Sequence, residues 1–300
     1  MMLIHAHAEA SYLSEVLLHS LLDTLKILPF LFLTYVLMEY LEHHGATKMR
    51  AAIRKCGALA PLAGGALGAV PQCGFSSAAA SLYAGRAISL GTLIAVFLST
   101  SDEMLPILIS GKAPIGTILT LVLSKAAIGI GVGFLVNGIL RLRGHKHASH
   151  IHELCEAEGC HCERGILISA LYHTLTIALF LFLATLAIDT LVYFAGEETL
   201  RALAFDIPVL TQLVCALVGL IPSCAVSVVM TELYLEGILS AGALLAGLLP
   251  GAGVGILVLL RTNKKPRENL FILTLLVLVG FVFGLLFDLC GISALLRRPA

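Results

Sequence analysis

Two short stretches place a proline, a thiol and a hydroxyl inside otherwise apolar runs. They are Pro71-Gln72-Cys73-Gly74-Phe75-Ser76 and Pro222-Ser223-Cys224-Ala225-Val226-Ser227, 151 residues apart. Proline lacks an N–H and pushes the preceding residue out of the helical region. Backbone groups freed by such a break cannot stay unpaired in lipid, so the break must face protein or a water-filled cavity. The half-helix that follows aims its N-terminal N–H groups at whatever fills that cavity. As thiolates, Cys73 and Cys224 suit soft metals and trivalent metalloids. Gln72, Ser76, Ser77, Ser223 and Ser227 add hard hydrogen-bonding atoms. A single break of this kind reads as a kink lined with small residues for close helix packing. Two matched breaks read as a substrate-binding site.

A second group is Ser99-Thr100-Ser101-Asp102-Glu103-Met104-Leu105-Pro106. Adjacent acids inside an apolar span are costly and are usually functional. Asp102 and Glu103 are therefore candidates to bind a cation or carry a proton, with solvation at the outer interface as the bland reading. Pro106 suggests another break here. The matching place in the second half is Pro250-Gly251-Ala252-Gly253-Val254-Gly255, flexible and uncharged. Lys125, deep in a later span, is placed to neutralise Asp102 or Glu103, and burial and pairing would shift their pKa values. Asp23 and His173 lie near opposite ends of their spans. Glu39, Asp189, Glu232, Glu236 and Asp288 lie near span ends, where solvation is the default.

A third group lies in a polar linker. His145, His147, His150, His152, Cys155, Cys160, His161 and Cys162 fall within eighteen residues. Imidazole and thiolate ligate zinc-like and softer ions. The spacing fits no fixed zinc-finger pattern, so a flexible metal-capturing loop is expected; a solvated linker is the alternative. His5 and His7 form a fainter version near the N-terminus.

The elements that must position these groups are long apolar runs. Hydrophobic residues make up 58% of the 300 residues and charged residues 13%, with mean hydropathy +0.97. A soluble domain carries about twice that charge. Ile166 to Ile188 and Leu270 to Phe287 lack Asp, Glu, Lys and Arg, and each could cross a hydrocarbon core, which takes roughly 20 helical residues. The first twenty residues have no basic start and no small-residue cleavage site, so the first span is expected to serve as its own targeting signal. Cys56, Cys73, Cys215, Cys224 and Cys290 sit in or beside apolar runs, which does not suggest a disulfide framework.

Apolar segments run 15–42, 57–70, 73–85, 88–110 and 114–140, then 166–194, 206–221, 223–236, 238–260 and 269–296. The halves align without gaps: Gly68 with Gly219, Pro71 with Pro222, Cys73 with Cys224, Ser76 with Ser227, Tyr83 with Tyr234, Ser89 with Ser240, Gly91 with Gly242. A one-residue shift extends the match to the first spans, where Phe30 meets Phe180 and Phe32 meets Phe182. An internal duplication accounts for this. The expected fold is an all-α polytopic membrane protein of about ten transmembrane segments, as two inverted repeats of five with broken or re-entrant helices. Residues 1–140 form the first membrane repeat, 141–164 the His/Cys-rich loop and 165–300 the second repeat. Basic residues fix the orientation. Lys48, Arg50, Arg54, Lys55, Arg86, Arg141, Arg143, Lys146, Arg164, Arg261, Lys264, Lys265 and Arg267 fall on one side; Lys112, Arg201, Arg297 and Arg298 fall on the other. The first side is thus cytoplasmic. It carries the central loop, and both termini lie outside.

The chain resembles the bacterial ten-span heavy-metal exporters, relatives of the arsenic-efflux permeases, some of which are labelled manganese transporters. The resemblance rests on Val-Pro-Gln-Cys-Gly-Phe-Ser (70–76), Leu-Tyr-Ala-Gly-Arg (82–86) and Leu-Ser-Thr-Ser-Asp-Glu-Met-Leu-Pro (98–106), with the Pro-Ser-Cys of the second half and the His/Cys linker. It implies an efflux permease in the inner (plasma) membrane. By analogy with arsenical permeases, Cys73 and Cys224 would bind a trivalent arsenical, whereas the acids and histidines fit a Mn- or Zn-like divalent cation better. No Gly-x-x-x-x-Gly-Lys-Ser/Thr run is present, so proton coupling rather than ATP drive is expected. The expected partners are the lipid bilayer and the transported ion, with no nucleic acid and no required cofactor; a homodimer is left open. An inorganic or organic anion transporter is the alternative, since half-helix N-termini favour anions. A membrane metal sensor is the second.

Overall fold

The computed structural model describes residues 59–70, 73–101, 104–142, 166–195 and 208–291, with scattered helical positions between 17 and 36. No strand occurs among the described residues. The first repeat contributes α1 (Ala60–Gly68), α2 (Cys73–Ala84), α3 (Leu90–Ser99), α4 (Met104–Ser110) and α5 (Ile115–Leu142). After α6 (Ile166–Ala195), the second contributes α7 (Pro208–Val218), α8 (Cys224–Leu235), α9 (Ala241–Leu248), α10 (Val254–Thr262) and α11 (Pro266–Leu289).

The α5 and α11 helices, at 28 and 24 residues, are long and apolar enough to cross a bilayer. So is the stretch Leu90–Ser110, which holds α3 and α4. Their outward faces are apolar: Ile115, Leu119, Leu123 and Leu135 on α5, and Leu270, Leu278, Leu286 and Leu289 on α11, are exposed. Belts of this extent are rare on soluble proteins and suit lipid. By contrast, α1, α2, α7 and α8 run 9 to 12 residues, well short of the roughly 20 needed to span. The short paired segments expected at 57–70, 73–85, 206–221 and 223–236 are present as short helices within those bounds.

Both expected breaks also fall within the spans 88–110 and 238–260. The first separates α3 from α4 and precedes Pro106, which sits in the first turn of α4, where its missing N–H costs no hydrogen bond. The second runs through Pro250 and Gly251 to Gly253, whose φ of 53° with ψ of −137° is open to glycine and little else.

The 151-residue offset holds in space. Repeat one packs α1, α3 and α5 together, and repeat two packs α7, α9 and α11 together. Close approach depends on glycines in register. A Cβ at Gly129 or Gly133 would lie 2.8 Å from the Ala95 carbonyl oxygen or 2.5 Å from that of Gly91. One at Gly280 or Gly284 would lie 2.6 Å from the carbonyl oxygens of Ala246 or Gly242. The remaining half-helices are exchanged: α2 of repeat one packs on α10 of repeat two, and α8 packs on α4.

One ion pair also crosses between repeats. Arg86 follows α2 at a φ of 55°, where repeat two has Gly237 at 78°. A side chain at that backbone position is unfavourable by about 1–2 kcal/mol. Arg86 uses it to reach Glu268 at 2.7 Å, at the start of α11. The Tyr83 hydroxyl donates to the same carboxylate at 3.2 Å. Burial works against the charge of Arg86, but the Glu268 carboxylate more than offsets it and holds the guanidinium pKa above its ordinary value.

Candidate functional site

Breaks from both repeats meet at one small cavity of about 30 Å³. That is room for about two or three waters or one small hydroxylated solute. Repeat one lines it with Thr100, Ser101, Met104 and Lys125; repeat two adds Ser223 and Ser227 from the second Pro-x-Cys break and Gly251 and Gly253 from the α9–α10 break. Met230 adds a second thioether beside Met104. The α3 helix ends at the wall because its last hydroxyls turn back on it: Ser99 Oγ donates to Ala95 O at 2.7 Å, and Thr100 Oγ1 to Val96 O at 2.8 Å.

Lys125 is the charged group in the described wall. It is 1% exposed, and its Nζ donates to the Leu248 carbonyl at 2.7 Å. Leu248 is the last residue of α9, so a cation from repeat one caps the negative end of a half-helix from repeat two. The counterpart of Lys125 in repeat two is Leu276, fully buried in the core. The charge is thus a feature of repeat one alone.

The structure brings only part of the expected constellation together. Ser223 and Ser227 line the cavity. Ser76 and Ser77 are fully buried but do not: a Cβ at Gly255 would lie 2.7 Å from that of Ser76. At the related place, Ser227 faces the cavity with Met104, the counterpart of Gly255. One crossing is thus open and its counterpart is filled. Cys73 and Cys224 each start a half-helix at the expected positions, but their side chains lie outside the description. Gln72, Asp102 and Glu103 lie outside the described residues, as does the whole metal-loop set of His145, His147, His150, His152, Cys155, Cys160, His161 and Cys162. No cluster of three His, Cys, Asp or Glu occurs among the described residues.

Two polar positions have more partners than their sequence context suggests. Lys125 was read only as a partner for the acids. Asp288 was read as a solvated span end, yet it is half-buried and fully engaged. Gln212 Nε2 and Ser240 Oγ both donate to its Oδ2 at 2.6 Å, and Gly242 N donates to Oδ1 at 3.0 Å. The 151-residue offset was the available signal: it pairs Asp288 with Asn137, and Asn137 binds Ser89 and Gly91, the counterparts of Ser240 and Gly242.

None of the curated proteins and none of the solved structures matches the chain. A family described as "Putative, 10TM heavy-metal exporter" (ArsP_2) matches residues 12–174 and again 164–299, which together cover most of the sequence and agree with its two halves. With apolar spans, paired half-helices and a cavity where the breaks meet, the chain belongs to this ten-transmembrane heavy-metal exporter family.

Proposed function

We propose that the protein is a secondary transporter that exports a metal or metalloid ion by alternating access of two inverted repeats. The observation that carries this is the cavity, whose wall is shared between the repeats at their chain breaks. Any movement of one repeat against the other changes that wall. The plan matches transporters in which discontinuous helices meet near the midplane.

The wall also bears on the cargo. Thioethers of Met104 and Met230 are soft ligands, and Cys73 and Cys224 start the half-helices on either side of the repeat relation. Hydroxyls of Thr100, Ser101, Ser223 and Ser227 suit a hydroxylated species. Together these favour a trivalent, thiol-seeking metalloid such as arsenite over Mn²⁺ or Zn²⁺. An oxyanion is the second reading, supported by Lys125 and by the α8 and α10 N-termini beside the cavity. In this reading proton influx drives export across the inner membrane, the 141–164 loop captures ions on the cytoplasmic side, and both termini lie outside.

Proteoliposomes preloaded with arsenite, Zn²⁺, Mn²⁺ or phosphate test the proposal by release with and without a proton gradient. Arsenite release accelerated by the gradient is expected. Phosphate release with no metal or metalloid flux would overturn it.

A further inference from the structure

The two repeats build the same device at the N-terminus of a broken helix, with one chemical difference. In repeat one, Asn137 Nδ2 donates to Ser89 Oγ at 2.9 Å, and Asn137 Oδ1 accepts from Gly91 N at 3.1 Å. In repeat two, Asp288 replaces Asn137. Its Oδ1 accepts from Gly242 N, and the other contact reverses direction: Ser240 Oγ now donates to Oδ2. An asparagine amide has the shape and donor pattern of a protonated aspartic acid. Repeat one therefore shows that this position can hold a neutral group that donates to its serine; there Ser89 also pairs with the Thr92 hydroxyl, whose counterpart in repeat two is Ala243.

A second observation points the same way. Gln212 is 1% exposed, its Nε2 donates to Asp288 Oδ2, and its Oε1 has no hydrogen-bond partner. A buried acceptor left unpaired is unfavourable by about 1–3 kcal/mol. Repeat one has Pro61 at this position, which offers no such group. One partner of Oδ2 is reversible: the Gln212 amide can turn over to present Oε1 to a carboxylic O–H.

We infer that Asp288, Gln212 and Ser240 form the coupling-proton site of the transporter, an assignment that rests on the transport reading above. The proton comes from water at the end of α11 and returns to water; no bond other than O–H forms or breaks. The other described titratable groups on and around these elements include the Cys215 thiol on α7, Glu232 and Glu236 on and just after α8, Arg261 in the last turn of α10, Cys290 after α11, and Arg267 and Glu268 at the opposite end of α11; α3 and α9 carry none.

The link to the cavity is α9 itself. Its N-terminus holds a carboxylate at Ser240 and Gly242, and its C-terminal carbonyl, Leu248, holds the Lys125 ammonium. Each charge complements the helix dipole. Eight residues rise about 12 Å, so protonation of Asp288 loosens one end of a short rod whose other end is the cavity wall.

The test is Asp288→Asn in the full-length protein, a change that repeat one already accommodates. Arsenite efflux from proteoliposomes should continue, with its rate no longer changed by a pH gradient. Infrared spectra recorded on acidification should lose a protonated-carboxyl band present in the parent protein. Gln212→Leu, which keeps the carboxylate, should move the pH at which that band appears. An unaltered gradient response in Asp288→Asn would overturn the inference. If the parent protein moves no substrate, the transport reading fails separately. The infrared arm then decides: an identical band in parent and Asp288→Asn overturns the proton site, and loss of the band sustains it.

Discussion

Gly131 and Gly133 stand two residues apart on α5 and face opposite surroundings. A Cβ at Gly131 meets nothing within 4 Å. A Cβ at Gly133 would lie 2.5 Å from Gly91 O, 2.9 Å from Ala95 Cβ and 3.1 Å from Pro61 Cβ. Replacing either by alanine improves helix propensity by the same amount, about 0.5–1 kcal/mol. Gly131→Ala should thus be stabilising by about that much. Gly133→Ala gains the same term and adds overpacking against the Gly91 carbonyl and the Ala95 and Pro61 side chains, which costs about 1–3 kcal/mol. Propensity cancels between the two variants, so their separation measures the close approach of α3 to α5. Thermal unfolding in detergent should rank Gly131→Ala above the parent and Gly133→Ala below it. Since α3 ends at the cavity wall and α5 carries Lys125, Gly133→Ala should also slow transport while Gly131→Ala does not. Equal stability of the two variants would refute the glycine register.

Other expectations follow from the same geometry. Lys125→Met keeps the stem and removes the ammonium from Leu248 O, so it should abolish or severely slow efflux while the protein still folds, as Leu276 does in the other repeat; efflux assays beside size-exclusion profiles check this. Arg86→Gly relieves a backbone penalty of about 1 kcal/mol and loses a part-exposed ion pair of about 1 kcal/mol or less, so the melting temperature should barely move. Arg86→Ala loses the pair without relieving the backbone and should be the less stable of the two. Cys73→Ala with Cys224→Ala should remove transport of arsenite; unchanged flux in the double variant would reduce the thiols to packing. Deletion of 145–162 should weaken efflux at low substrate and spare the maximal rate, and total loss would mean the loop is structural.

What the sequence disclosed follows from which groups leave a local mark. Prolines at 71 and 222 mark chain breaks because a missing N–H acts on its own neighbours. Pro106 and the Pro250–Gly253 stretch mark the second pair of breaks for the same reason. The apolar runs mark the spans by length alone. Lys125 was visible as an intramembrane charge, but its acceptor is a main-chain carbonyl on the other repeat, and a carbonyl has no residue letter. Asp288 looked like a span end because its partners lie 48 and 76 residues away. Only the offset to Asn137 tied it to the fold. The exchange of α2 and α8 between repeats also left no trace, since apolar half-helices of similar composition do not specify which partner they meet. Ser76 looked equivalent to Ser227, and the difference between them is set by what faces each, Gly255 or Met104.

That exchange has a consequence for how the chain is made. The α2 helix buries Ser76, Ser77 and Ser81, and lipid solvates hydroxyls poorly. Its packing partner, α10, lies about 170 residues later in the chain, in the second repeat, and leaves the ribosome long after it. The first repeat therefore enters the membrane before its packing can be completed, and it must wait, with a polar half-helix unmatched, until the second repeat arrives.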